Sequence, residues 1–142
     1  MKYKVVYFTR TGNSRRVAEK IANILFLEAL EIRDNMNWKG VFGFIKGGYY
    51  ASTNKNVVII ISENLDDAEE LIVVTPLWAG KVAPTINTFL KTKALKKVHL
   101  VVTSGSSYLK DRSYYKSVTD IIKSKNNEDA VIDDFTDKIR LD

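Results

Sequence analysis

The sequence has 142 residues, 45% of them hydrophobic and 27% charged, the size and balance of one globular domain (residues 1–142) with one core. It holds no cysteine and one histidine, His99, which excludes disulfides, thiolate chemistry and histidine-rich metal sites, so no metal is expected. The net charge of +5 is spread over scattered lysines and arginines, with no base-reading motif, no apolar run near the ~20 residues of a membrane span and no signal peptide, so a cytoplasmic protein without nucleic-acid or membrane partners is expected.

Residues 2–8 form an apolar run and predict a first strand. It ends in Thr9-Arg10-Thr11-Gly12-Asn13-Ser14, where a helical pattern starts at once. Such a turn aims backbone N–H groups, hydroxyls and the positive end of a helix dipole at one point, a combination suited to a dianionic phosphate. No Gly-Lys-Ser/Thr follows, and the glycine triplet of dinucleotide folds is absent. The alternative is an ordinary turn capped by Ser14 or Asn13.

A helix is predicted over 13–27, with Val17, Ile21, Ile24 and Leu25 as its apolar stripe beside Ala18 and Ala22. A short strand over 29–32 and a loop over 34–37 follow. Residues 38–52 are rich in aromatics and glycine and read as a helix-like crossover packed on the core. A mobile cover over a ligand and a membrane-surface helix are the sharper readings, but the mixed spacing gives no clean membrane face. The role of 38–62 stays open.

Residues 57–61 and 71–75 are two apolar runs. The second is the expected central strand, opening into Pro76-Leu77-Trp78-Ala79-Gly80. A helix over 82–93 carries Pro84 in its first turn, where proline is tolerated. A strand over 98–103 contains His99 as a structural residue and ends in Thr103-Ser104-Gly105. A helix is expected over 113–125 from Val118, Ile121 and Ile122, with Asn126-Asn127 as its stop. Residues 130–135 are the expected last strand. Alternating strands and helices predict a parallel sheet covered on both faces, with three polar loops gathered on one edge.

These loops resemble those of the flavodoxin family. Thr9-Arg10-Thr11-Gly12-Asn13-Ser14 is similar to its phosphate loop, Thr75-Pro76-Leu77-Trp78-Ala79-Gly80 to the second loop beside the isoalloxazine ring, and Thr103-Ser104-Gly105 to the third. The resemblance spans residues 2 to about 125 and implies an α/β, flavodoxin-like, doubly wound open parallel sheet of strand order 2-1-3-4-5 with noncovalent FMN. It implies that the hydroxyls of Thr9, Thr11 and Ser14 and the N–H groups of Arg10, Gly12 and Asn13 surround the phosphate. Trp78 would stack on one flavin face, Tyr108 is the nearest aromatic candidate for the other, and the Ala79–Gly80 region would hydrogen-bond N5.

The function implied is an FMN-binding electron-transfer protein cycling flavin redox states, with no side chain serving as acid or base. An FMN-dependent NAD(P)H:quinone-type oxidoreductase is the alternative, and a non-redox binding module is a third reading. The partner would be a redox protein or a small acceptor.

Two departures from the family pattern stand out. Only seven residues follow 130–135, so the usual C-terminal helix is expected to be missing and a homodimer to cover the bare sheet face. The chain is also basic, with Lys81, Lys110 and Arg112 near the expected flavin loops.

Overall fold

The structure is a computed structural model, and residues 1–141 of it are described. In chain order the elements are β1 (Tyr3–Tyr7), α1 (Asn13–Leu25), β2 (Ala29–Asp34), α2 (Gly40–Ser52), β3 (Ile59–Ile61), β4 (Glu70–Trp78), β5 (Lys81–Val82), α3 (Pro84–Leu90), β6 (Val98–Ser104), β7 (Ser117–Ile122) and α4 (Glu128–Leu141). The sheet runs β3-β2-β1-β4-β6-β7, with β5 folded back on β4. The five strands β2, β1, β4, β6 and β7 are parallel. Counted along the chain, their order is the 2-1-3-4-5 of the flavodoxin-like doubly wound fold. β3 is an antiparallel addition on the β2 edge.

The alternation of the strands sorts the core into two layers. Val5, Tyr7, Ile72, Val74 and Val101 face Val17 and Ile21 of α1 and Ile132, Phe135 and Ile139 of α4. Val6, Phe8, Val73, Leu100 and Val102 face Trp38 and the Ile86–Phe89 side of α3. Every strand of the sheet centre is therefore apolar on both sides, as the continuous runs predict.

The C-terminal third differs from the sequence expectation. Residues 117–122 are strand β7 rather than a helix, and 128–141 are helix α4 rather than a strand. Val118, Ile121 and Ile122 have helical spacing, but in the edge strand β7 half-buried Val118 packs against one core layer and buried Ile121 joins the other, with Ile122 buried beside it, which erases the two-residue period. The expectation of a missing C-terminal helix is thus overturned. Ile132, Phe135, Thr136 and Ile139 are the buried stripe of α4, spaced i, i+3, i+4, i+7. Asp and Glu in its first turn and Lys and Arg in its last suit the helix dipole. Asn126-Asn127, read as a helix stop, precedes this helix instead, with Asn126 left-handed at φ 48°. The bare face that motivated a homodimer is covered by α4.

β4 runs four residues beyond its pairing with β1, which stops at Val74, so Pro76 needs no donor on that side. It then turns at Ala79-Gly80, both with positive φ (50° and 76°), and returns as β5 with Trp78 opposite Lys81. Two left-handed residues between paired strands define a type I′ hairpin. The 71–75 strand thus reaches Trp78, and the tryptophan loop is half strand, half tight turn. Among the described residues no helix is long and apolar enough to cross a membrane.

Candidate functional site

A cleft of about 1050 Å³ lies at the C-terminal ends of the parallel strands, where ligands bind in open α/β sheets. Of the predicted site residues, Thr9, Arg10, Thr11, Asn13, Ser14, Pro76, Leu77, Trp78, Ala79, Thr103, Ser104 and Gly105 line it. All three loops therefore meet in one cavity.

The first loop is shaped by Gly12. Its φ of 99° makes it the N-cap of α1, and no side chain caps this helix. Its N–H donates to Thr9 Oγ1 at 2.9 Å. The first intrahelical bond is donated by Arg16 N to Gly12 O at 3.0 Å, which leaves the N–H groups of Asn13, Ser14 and Arg15 ahead of the ladder. Neither Ser14 nor Asn13 is the cap. Asn13 Oδ1 instead accepts from Arg16 Nη1 at 2.9 Å. Ser14 is buried and its hydroxyl is paired with that of Thr103 at 2.9 Å, tying the first loop to the third. Arg10 lines the cleft but spends its guanidinium on the approach to α2: Nε donates to Trp38 O at 2.7 Å and Nη2 to Gly40 O at 3.1 Å.

Trp78 packs edge-to-face with Phe8 (5.6 Å) and Trp38 (5.3 Å). A Cβ on Gly47 would lie 2.8 Å from its ring, so glycine at 47 lets α2 settle against the indole. Trp38 is buried, donates its indole N–H to Asp34 Oδ2 at 2.8 Å and does not line the cleft. Thr75 is fully buried; its hydroxyl donates to Pro76 O and accepts from Ala83 N, a clasp between the end of β4 and the start of α3. Gly12, Thr75, Gly80 and Tyr108 are not among the lining residues. Tyr108 is half exposed, with Lys125 Nζ donating to its hydroxyl and lying 4.6 Å from the ring centroid. Phe44 of α2 is the second aromatic in the lining.

Sequence reasoning missed the fourth wall. Arg16, Phe44, Lys123 and the 126–130 segment at the start of α4 also line the cleft. Arg16 forms a two-pronged ion pair with Glu128 (2.6 and 3.0 Å), and Lys20 bridges Glu128 and Asp129. Hydrogen bonding from Arg16, opposed by partial burial and helped by Lys20, holds the Glu128 carboxyl down at about 2. The acidic first turn of a helix at 128 was the available signal, hidden by the strand reading.

The candidates Lys110 and Arg112 fall outside the lining. Arg112 is held by Asp120 at 2.5 Å and by Leu109 O and Val118 O. At the opposite end of β6, His99 is buried between Glu70 (2.7 Å) and Ser117 (2.7 Å), the structural role expected of it.

No family model and no curated protein matches this chain. Its fold is that of solved flavodoxin-like flavoproteins. The flavoprotein of Lactobacillus acidophilus NCFM, solved in complex with FMN, is 17% identical over 91% of this chain and 97% of its own, with a TM-score of 0.63. A protein of Bacteroides eggerthii DSM 20697 described as a flavoprotein is 20% identical over 92% of both chains at a TM-score of 0.66. Another, from Bacteroides uniformis ATCC 8492, gives 18%, 92% and 97%, and 0.62.

Proposed function

We propose that this chain binds FMN in the cleft and acts as a flavin-dependent electron-transfer protein. The uncapped N-terminus of α1 carries the reading. Its leading N–H groups open onto the cavity that also holds Thr11, Trp78 and Phe44. A helix end stripped of its cap, ringed by hydroxyls and sharing a cavity with aromatic rings fits a molecule with a dianionic head and a flat ring. The solved relative with FMN supports the same ligand.

The N–H groups of Thr11, Asn13 and Ser14 and the Thr11 hydroxyl would hold the phosphate by charge-assisted bonds. Ser14 contributes less by its side chain, which Thr103 already engages. Trp78 and Phe44 would exclude water from the ring. Bound FMN supplies one- and two-electron transfer, and this chain positions and solvates it without a proton donor of its own. Thr11 is exposed, and its hydroxyl has only a long 3.4 Å contact from Asn13, so Thr11→Val leaves the fold intact. Loss of one bond to a charged phosphate costs ~1.5–3 kcal/mol, so FMN affinity should fall roughly ten- to a hundredfold in a fluorescence titration. Undiminished affinity would place the phosphate elsewhere.

The extent of the cleft favours a second reading, an FMN-dependent reductase. The cleft continues past the three loops to Lys123 and the start of α4, where a nicotinamide nucleotide would dock beside a flavin. Steady oxidation of NADH or NADPH by the FMN-loaded protein with a quinone acceptor would select this reading. Its absence would select the carrier.

A further inference from the structure

Helix α2 is packed inside out. Its buried residues are Gly43, Gly47 and Ala51, four apart and so on one face. A Cβ on Gly43 would meet the Trp38 carbonyl carbon at 2.0 Å, so this face lies flush on the molecule. The large apolar residues point the other way: Val41 is 73% exposed, Phe42 87%, Phe44 70%, Ile45 61% and Tyr49 54%. At 3.6 residues per turn they cover an arc of roughly 160°. Until Ser52 the only side chain in that arc with a hydrogen-bonding group is Tyr49. The sequence spacing looked mixed because the inward glycines interrupt an apolar pattern that faces out.

The charges on α2 and the segments flanking it in the chain have one sign. Between Asp34 and Glu63 the sequence has no acidic residue and three lysines, Lys39, Lys46 and Lys55. Lys39 is the N-cap of α2, Lys46 flanks the arc, and Lys55 lies over the rings of Tyr49 and Tyr50 at 5.5 and 5.3 Å. We propose that this arc docks the protein onto an anionic lipid surface, Val41, Phe42, Ile45 and Tyr49 entering the acyl boundary while the lysines reach back to the headgroups. A second copy packed α2 to α2 on a two-fold axis would bring the same lysines together with no acid from residues 35–62 to meet them. A protein partner would need about one hydrogen bond per 100–200 Å² of interface, and this arc offers almost none. Phe44 belongs both to the arc and to the cleft lining, so docking would set the mouth of the cleft at the lipid boundary. The proposal stands independently of the flavin reading.

The test is co-sedimentation of the full chain with vesicles of phosphatidylcholine alone or mixed with phosphatidylglycerol. Binding should require the anionic lipid and weaken with salt. The double variant Phe42→Glu, Ile45→Glu should lose roughly tenfold or more in partition, and Lys39→Glu with Lys46→Glu a roughly tenfold loss with a flatter salt dependence. A separate Phe42→Trp protein should show blue-shifted emission on anionic vesicles, a readout that needs no loss of binding. Failure to sediment at low salt, undiminished binding by the Phe42→Glu, Ile45→Glu protein, or an unshifted Phe42→Trp emission would overturn the proposal. So would a lipid-free dimer in sedimentation velocity that the Phe42→Glu, Ile45→Glu changes convert to monomer, because the arc would then belong to a second copy.

Discussion

Gly12 sets the chemistry of the first loop by what it lacks. A serine or aspartate at the N-cap would occupy the leading N–H groups of α1 with its own oxygen. Glycine leaves them open and takes the φ of 99° that side chains rarely adopt. This residue was legible in the sequence because turn and helix start are local. Charge at the site was not legible, because it depends on which lysines the distant chain brings in. Lys123 lines the cleft, whereas Lys110 and Arg112 do not, and Arg112 is neutralised by Asp120. With flavin bound, Lys123→Glu should lower the potential of the second one-electron reduction by tens of millivolts at low salt, each 1.4 kcal/mol being ~59 mV for one electron. The change should shrink at high salt. Changing Lys110 and Arg112 to Glu together should leave that potential in place. Spectroelectrochemical titration compares the two proteins, and equal shifts would deny Lys123 its special position.

At the scale of elements, α2 makes a two-sided prediction. Gly43 abuts the Trp38 backbone, while a Cβ on Gly48 meets nothing within 4 Å. Gly43→Ala should destabilise by ~1–3 kcal/mol through overpacking against backbone, and Gly48→Ala should stabilise by up to ~1 kcal/mol through helix propensity. Urea unfolding measures both, and changes of the same sign would contradict the inside-out packing. The β4–β5 turn gives a further case. Ala79 sits at φ 50°, a strain of ~1–2 kcal/mol, against which glycine loses ~0.5–1 kcal/mol in unfolded-state entropy. Ala79→Gly should therefore gain ~0.5–1 kcal/mol, read as a shifted urea midpoint with unchanged slope. Strands β1, β4 and β6 were readable because they end in distinctive loops. β7 looks helical in the sequence because Val118, Ile121 and Ile122 satisfy a helical count, and α4 is hidden because Asn126-Asn127 serves as well before a helix as after one.

At the scale of the whole molecule, α4 closes the fold by docking on α1. Glu128 and Asp129 engage Arg16 and Lys20, and Arg140 donates to Ile24 O at 2.8 Å. Burial of Phe135 and Ile139 does most of the holding, and the ion pairs fix the register. The Glu128 carboxyl is depressed from 4.5 to about 2. A depressed carboxylate contributes stability that is complete above its unfolded value and is lost as pH falls through the folded one. The contribution should fade between pH 4.5 and about 2, and Glu128→Gln should flatten that part of the acid limb in thermal melts. An unchanged acid limb would show that the ion pair adds nothing to the docking. A parallel sheet was legible because right-handed crossovers leave few alternatives, and its strand order followed only from the resemblance of the three loops to the flavodoxin family. The fourth wall of the cleft was not, since it needs the C-terminus to return as a helix beside α1.

In the proposed function the open N-terminus of α1 holds a phosphate and thereby anchors a flavin. The most direct measurement is the ratio of FMN to riboflavin affinity, both titrated into the same protein by flavin fluorescence. The ring is identical in the two ligands, so the ratio isolates the phosphate. The geometry predicts FMN tighter by at least roughly a hundredfold, as two or more charge-assisted bonds require. Equal affinity for FMN and riboflavin would contradict it.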